Sequence, residues 1–258
     1  MIPQLNSITP RILTASLTAA LTLLASAAHG TPITWGTPQQ INGTGDVSTT
    51  GTLIGAFNVG GTGAPSTTVN GVTFQGFSTN SGNGSSGNFT TVGSGFVNQT
   101  NNGHGSPNAP FSTLPAAYQT LLQSAAVPFS GSITLTITGL IVGMQYQFQW
   151  WANDSSFGLG GTTATAGNSV ELQHNVSGVE GGLGQWVIGS FTADSITQSI
   201  VFSGDGDFGS FNAFQLRQVS QPTGPVPDTG STLALLGLTV ASLAVARQKI
   251  GGTAATRS

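Results

Sequence analysis

The sequence predicts an all-β fold, two antiparallel sheets packed face to face with one short helix, bracketed by a membrane-directed segment at each end. Three observations predict it. Ser132 to Thr138 alternates strictly, with Ile133, Leu135 and Ile137 on one parity and Thr134 and Thr136 on the other. Similar period-two runs recur along the chain, separated by Gly-, Asn- and Asp-rich turns, as a sandwich requires. Both termini carry long apolar stretches, whereas the middle is polar and nearly free of cations.

Near the N-terminus Arg11 precedes an apolar run from Ile12 to Ala28, with small residues at Ala25-Ser26-Ala27. A basic start, a short apolar core and a small-residue site predict a secretory signal peptide over residues 1–30. Cleavage is expected after Gly30, with Ala27 as the other site. The folded body then covers residues 31–221, long enough for one domain with a substantial core.

In that body Leu53 to Val59 reads as a strand, and Thr67 to Phe77 as a pair hinged at Asn70-Gly71, a strong hairpin signal. Ser78 to Pro110 is rich in Gly, Asn and Ser, and reads equally as a long loop or a weak hairpin. Leu114, Tyr118, Leu121, Leu122 and Ala125 recur at helical spacing, which predicts a helix from Leu114 to Ala126 capping one end of the sandwich. After the Ser132–Thr138 strand and a turn, Gln145 to Asn153 places Tyr146, Phe148 and Trp150 on one face, with Trp151 on the other. Strands follow over Val170 to Val176, Gln185 to Thr192, Thr197 to Ser203 and Phe211 to Val219.

Composition excludes several classes of function. The chain has no cysteine, so disulfide staples, zinc–thiolate sites and thiol catalysis are ruled out. The body's only lysine or arginine is Arg217, set against Asp46, Asp154, Glu171, Glu180, Asp194, Asp205 and Asp207. Binding to nucleic acid or to anionic lipid needs several cations. A neutral, hydrated surface instead suits uncharged partners.

No catalytic constellation stands out, and the expectation is a protein that is not an enzyme. His104 falls in the Gly-rich stretch Asn101 to Pro107, which reads as a mobile loop, and His174 lies on the inward parity of its strand. No Gly-x-Ser-x-Gly elbow occurs, and no two carboxylates are set in a shared apolar pocket by the pattern alone. Gly204-Asp205-Gly206-Asp207, with Asp154 at the end of a neighbouring strand, offers oxygen ligands for a structural calcium. The same turn also reads as Asp and Gly supplying backbone geometry only. Trp151, on the polar face of its strand, is the first candidate for stacking a sugar ring, with Trp186 and Trp35 as alternatives. The competing reading, that a loop or the Leu114–Ala126 helix covers Trp151, stays open.

The C-terminus carries Val226-Pro227-Asp228-Thr229-Gly230, an apolar segment over residues 231–246, and a basic stop at Arg247 and Lys249. The apolar run is near the minimum for a membrane-spanning helix, with its basic end cytoplasmic. This tail, with its linker over 222–258, resembles the PEP-CTERM sorting signal, and more closely its Val-Pro-Asp variant; the commonest form has Glu-Pro where this chain has Asp228-Thr229. The resemblance implies processing by an exosortase-type membrane transpeptidase. It also implies export to the outer surface or matrix of a Gram-negative bacterium, with transient anchoring in the inner membrane.

The runs Ile133–Leu140, Tyr146–Asp154, Gly182–Ala193 and Asn212–Arg217 resemble the galactose-binding-like jelly rolls of exported bacterial proteins. That resemblance implies a jelly-roll-type sandwich with carbohydrate-binding relatives, and hence neutral extracellular polysaccharide as a partner. The alternatives are a purely structural surface or biofilm protein and, less favoured by the residues, a glycan hydrolase.

Overall fold

The alternation of Ser132–Thr138 places Ile133, Leu135 and Ile137 fully inside, and in the computed structural model this strand is central to its sheet. The structure describes residues 30–62, 64–156, 158–205 and 208–220, with Ser220 described by its backbone alone. The expected signal segment up to His29, the linker, the sorting tail with Val226, Pro227, Asp228, Arg247 and Lys249, and Asp207 lie outside the described residues.

The first strands are β1 (Thr34–Trp35), β2 (Gln39–Gln40), β3 (Thr52–Gly60), β4 (Thr67–Val69) and β5 (Val72–Ser78). Next come β6 (Gly84–Ser86), β7 (Phe89–Ser94), β8 (Val97–Thr100) and the helix α1 (Ala116–Leu122). Beyond the helix lie β9 (Ala125–Pro128), β10 (Ser132–Thr138), β11 (Gln145–Ala152) and β12 (Gly161–Ala166). The body closes with β13 (Asn168–Gln173), β14 (Gln185–Thr192), β15 (Thr197–Gly204) and β16 (Ala213–Ser220).

A larger sheet runs β1-β14-β11-β16-β3-β5-β4, with β2 also on β14, and a smaller one runs β13-β12-β15-β10-β7-β6. From β10 onward the chain crosses repeatedly between the two sheets, the winding of a jelly-roll-type sandwich. β3 pairs with β5 in parallel, whereas β10 with β15, β11 with β14 and β16 with β3 pair antiparallel. β4 and β5 form the expected hairpin, with Asn70 and Gly71 both at positive φ, 49° and 75°. Those are the dihedrals of the turn type whose twist matches paired strands, which is why Asn-Gly signals it.

Between the sheets the inward parities pack into one aromatic core. Phe57, Phe148, Phe202, Phe211 and Phe214 are buried there, with Phe202 and Phe211 stacked at 4.0 Å between centroids. Burying such a ring contributes about 1.5–3 kcal/mol. Phe89, from the stretch that read as loop or hairpin, joins this core 4.9 Å from Phe57, because residues 84–100 form β6, β7 and β8.

A second core covers the outer face of the larger sheet. Tyr118, Leu121 and Leu122 of α1 press on Phe74, Ala56, Ala213 and Trp151, with Ile41, Val47, Phe111 and Leu114 filling the edges. The helix therefore roofs a sheet face rather than capping an end, and it is shorter than expected. It stops at Leu122 because the Asn212 amide captures the carbonyls of Leu122 and Ser124, at 2.7 and 2.9 Å, and Ala125–Pro128 turn away as β9. β12 was not expected from the sequence: its inward residues Ala164 and Ala166 are small and leave only a weak strand signature. Among the described residues no helix is long and apolar enough to cross a membrane.

Candidate functional site

Trp151, the first candidate for stacking a sugar ring, presents no face to solvent. It is fully buried beneath α1, 5.6 Å from Phe74, and its indole N–H donates to the Tyr118 hydroxyl at 3.0 Å. The covering reading left open by the sequence is the one the structure adopts. Trp186, directly opposite Trp151 on β14, is half-buried against the same outer core. Trp35 packs on the inner core at 6.4 Å from Phe148 and donates to the Asn168 carbonyl.

Of the acidic residues proposed for calcium, Asp205 and Asp154 each have a structural bond, and Asp207 lies outside the described residues. Asp205 Oδ1 accepts the Gly161 N–H at 3.0 Å, and Asp154 Oδ1 accepts both the N–H and the hydroxyl of Ser156, at 3.0 and 2.7 Å. Among the described residues no three His, Asp or Glu side chains are grouped to hold a metal.

What the fold does bring together is a cavity of about 210 Å³ beside the β8–β9 ribbon, which sequence reasoning missed. It is lined by Asn98, Thr100, His104, Phe129, Asp154, Ser156 and Phe208, among others. Phe129 and Phe208 line it with centroids 4.8 Å apart, and Phe96, 5.3 Å from Phe129, continues this aromatic ledge beyond the cavity. Phe96 at the outer end is 60% exposed. Single phenylalanines inside Gly/Ser turns, as all three are in the sequence, were the signal available.

His104, expected in a mobile loop, is instead buried and held on several sides. Its backbone N–H donates to the Gln123 carbonyl, its own carbonyl accepts the Ser155 N–H, and Nδ1 lies 3.1 Å from both the Asn153 carbonyl and Ser210 Oγ. A carbonyl only accepts, so the Nδ1 proton is assigned toward Asn153 and Nε2 keeps its lone pair. Burial lowers the pKa of this ring, opposed by the charge of Asp154, so the imidazole is neutral at pH 7. Asp154 Oδ2 stands 3.7 Å from Nε2, too far for a direct hydrogen bond.

Ser210, His104 and Asp154 thus resemble a catalytic relay in composition but not in chemistry. A nitrogen already carrying a proton cannot take one from Ser210, and Ser210 is only 1% exposed. The floor behind them is a buried amide network. Asn212 Nδ2 donates to the carbonyls of Leu122, Ser124 and Asn153, Asn212 Oδ1 accepts the Asn153 N–H, and Asn153 Oδ1 accepts the Gly184 N–H. A separate open slot of about 490 Å³ lies between β3 and β5, where the parallel pairing starts only at Phe57 and Gln75. It is lined by Leu53, Ile54, Thr73, Gln75 and Asn88, with no charged group.

The chain ends in a recognised sorting element: the VPDSG-CTERM motif matches residues 225–250. The motif is PEP-CTERM-like and is consistent with an exported, surface-associated protein. No curated protein sequence is significantly similar to this chain. One solved structure with some likeness is described as "Structural basis for the promiscuous specificity of the carbohydrate-binding modules from the beta-sandwich super family". It is 14% identical over 55% of this chain, which spans 66% of that structure's length, with a TM-score of 0.13. A likeness that low carries neither a fold nor a ligand across.

Proposed function

We propose that this protein is exported through its signal segment, processed at the Val226-Pro227-Asp228 tail by an exosortase-type membrane transpeptidase, and placed at the surface or in the matrix of a Gram-negative cell. There its sandwich binds neutral polysaccharide without acting on it. The observation that carries the export half is the sorting motif at 225–250. Fractionation of cells expressing the full chain tests it: deletion of 225–250 should shift the protein out of the envelope fraction, and an unchanged distribution removes the reading.

The binding half is supported by charge. Arg217 is the only lysine or arginine between residues 30 and 220, and it is 7% exposed. Its guanidinium is spent on the carbonyls of Thr49, Thr50 and Gly51 and on Gln215 Oε1. The outer face of the smaller sheet carries hydroxyls instead, with Thr136 opposite Thr90 on one side and Ser199 on the other. A surface of this kind has no electrostatic hold on polyanions.

Burial of Trp151 favours a second reading, a structural coat protein with no ligand. A structural calcium at the Gly204–Asp207 turn belongs to the proposal as well; chelation that lowers the melting temperature supports it, and an unchanged melt removes it. The absence of catalysis is proposed on the geometry of His104 and Ser210, and sugar release from any polymer by the purified chain would overturn it.

A further inference from the structure

We infer that the cavity walled by His104, Asp154, Phe129 and Phe208 binds a single neutral sugar unit presenting two adjacent hydroxyls. This assignment rests on the polysaccharide-binding reading and gives it an address.

The polar wall comes first. Asp154 Oδ2 and the unprotonated Nε2 of His104 are two acceptors 3.7 Å apart, and neither can satisfy the other. Neighbouring hydroxyls on a pyranose ring can give one proton to each. A ligand with only acceptors, or with a carboxylate or phosphate, would face Asp154 with no lysine or arginine of the body exposed to offset the repulsion.

The apolar wall is complementary. Phe129 and Phe208 line the same cavity at 65° to each other, and Phe96 extends the ledge outward. Aromatic faces accept the C–H side of a sugar ring while its hydroxyls are held elsewhere. The volume, about 210 Å³, is below the range of about 300–1,000 Å³ usual for drug-sized ligands, which points to one ring of a chain rather than several.

The polar wall is also tied down by hydrogen bonds of its own. Asn153 Oδ1 and Nδ2 are tied to Gly184, His104 and Leu122 in the buried network behind it, and Ser156 fixes the Asp154 carboxylate by its other oxygen. Acceptors held in place by such bonds lose little entropy on binding.

The test is affinity electrophoresis of the full chain in mild detergent, through gels containing dextran, galactomannan or xyloglucan, with polygalacturonate as the anionic probe. Retention by at least one neutral polymer, competed by a methyl pyranoside and absent on polygalacturonate, is expected. Asp154→Asn keeps the size of the side chain, and Phe208→Leu keeps apolar contact at the edge. Each should weaken retention about tenfold or more with the melting temperature preserved. Retention unchanged in both variants overturns this site and leaves polysaccharide binding standing. No retention on any neutral gel, or retention on polygalacturonate alone, overturns that reading and the site with it.

Discussion

The Tyr118 hydroxyl accepts the Trp151 indole N–H at 3.0 Å and donates to Asp46 Oδ2 at 2.9 Å, fastening α1 and the residue 41–47 loop to the outer face of the larger sheet. Asp46 Oδ2 also accepts the N–H groups of Asn42 and Gly43, so one carboxylate oxygen gathers three donors. Burial, with the charge of Asp46 beside it, raises the Tyr118 pKa, so the phenol stays a donor throughout the physiological range.

Removing that hydroxyl leaves the Trp151 N–H buried with no partner. Tyr118→Phe is therefore expected to cost about 1–3 kcal/mol, the range for an orphaned buried polar group. Urea titration followed by circular dichroism measures it. Trp151→Ala should cost more, about 3–5 kcal/mol, since it empties a packed site. A Tyr118→Phe midpoint equal to that of the parent would mean that the roof over Trp151 opens in solution.

Parity placed Trp151 on the face opposite Trp150, as observed, but parity says nothing about what lies over a face. The helical spacing of Tyr118, Leu121 and Leu122 was equally plain, and the face those residues seek was not. Both facts meet only in three dimensions, where Tyr118 and Trp151 are 33 residues apart in sequence. His104 illustrates the same limit. Its glycine neighbours read as a loose loop, yet Asn153, 49 positions away, holds its ring and its carbonyl. The strands with β-branched or aromatic inward residues were legible, and β12, with alanines inside, was not.

Arg217 is expected to behave as an internal clamp. Its fork reaches three consecutive carbonyls, Thr49, Thr50 and Gly51, and substitution by methionine removes all three charge-assisted bonds. A loss of about 2–3 kcal/mol is expected from Arg217→Met, and Arg217→Lys should recover little of it, since an ammonium cannot reproduce the planar fork. Thermal melts distinguish the cases. Stability equal to the parent in both variants would return Arg217 to the surface.

Acid should destabilise the body through its histidines. Burial lowers the pKa of His104 and of His174 below the ordinary 6.5, with Asp154 opposing in both cases. As the pH falls below 6.5 the unfolded chain binds protons that the folded chain refuses, so stability drops. It is retained in full above 6.5 and is lost until each folded-state pKa is passed, at about 1.4 kcal/mol per pH unit for each ring. Melting temperatures should fall between pH 7 and pH 5, and His174→Gln should flatten the profile. A melt that rises toward pH 5 would contradict the lowered pKa of both rings.

Asn212 offers the sharpest substitution, because its two side-chain atoms do opposite work. Nδ2 donates to the carbonyls of Leu122, Ser124 and Asn153, whereas Oδ1 accepts the Asn153 N–H. Asn212→Asp keeps the shape and the second function, but it sets a carboxylate oxygen against three carbonyls. A loss of about 3–5 kcal/mol is expected, as for an uncompensated buried charge. Hydrogen exchange should then report fraying at the end of α1 while the Asn153 amide keeps its protection. Asn212→Ala removes both functions and should expose the Asn153 amide too. Because Asn153 also holds His104, that second variant should loosen the cavity wall, and equal protection of Asn153 in the two variants would show that the network does not position it.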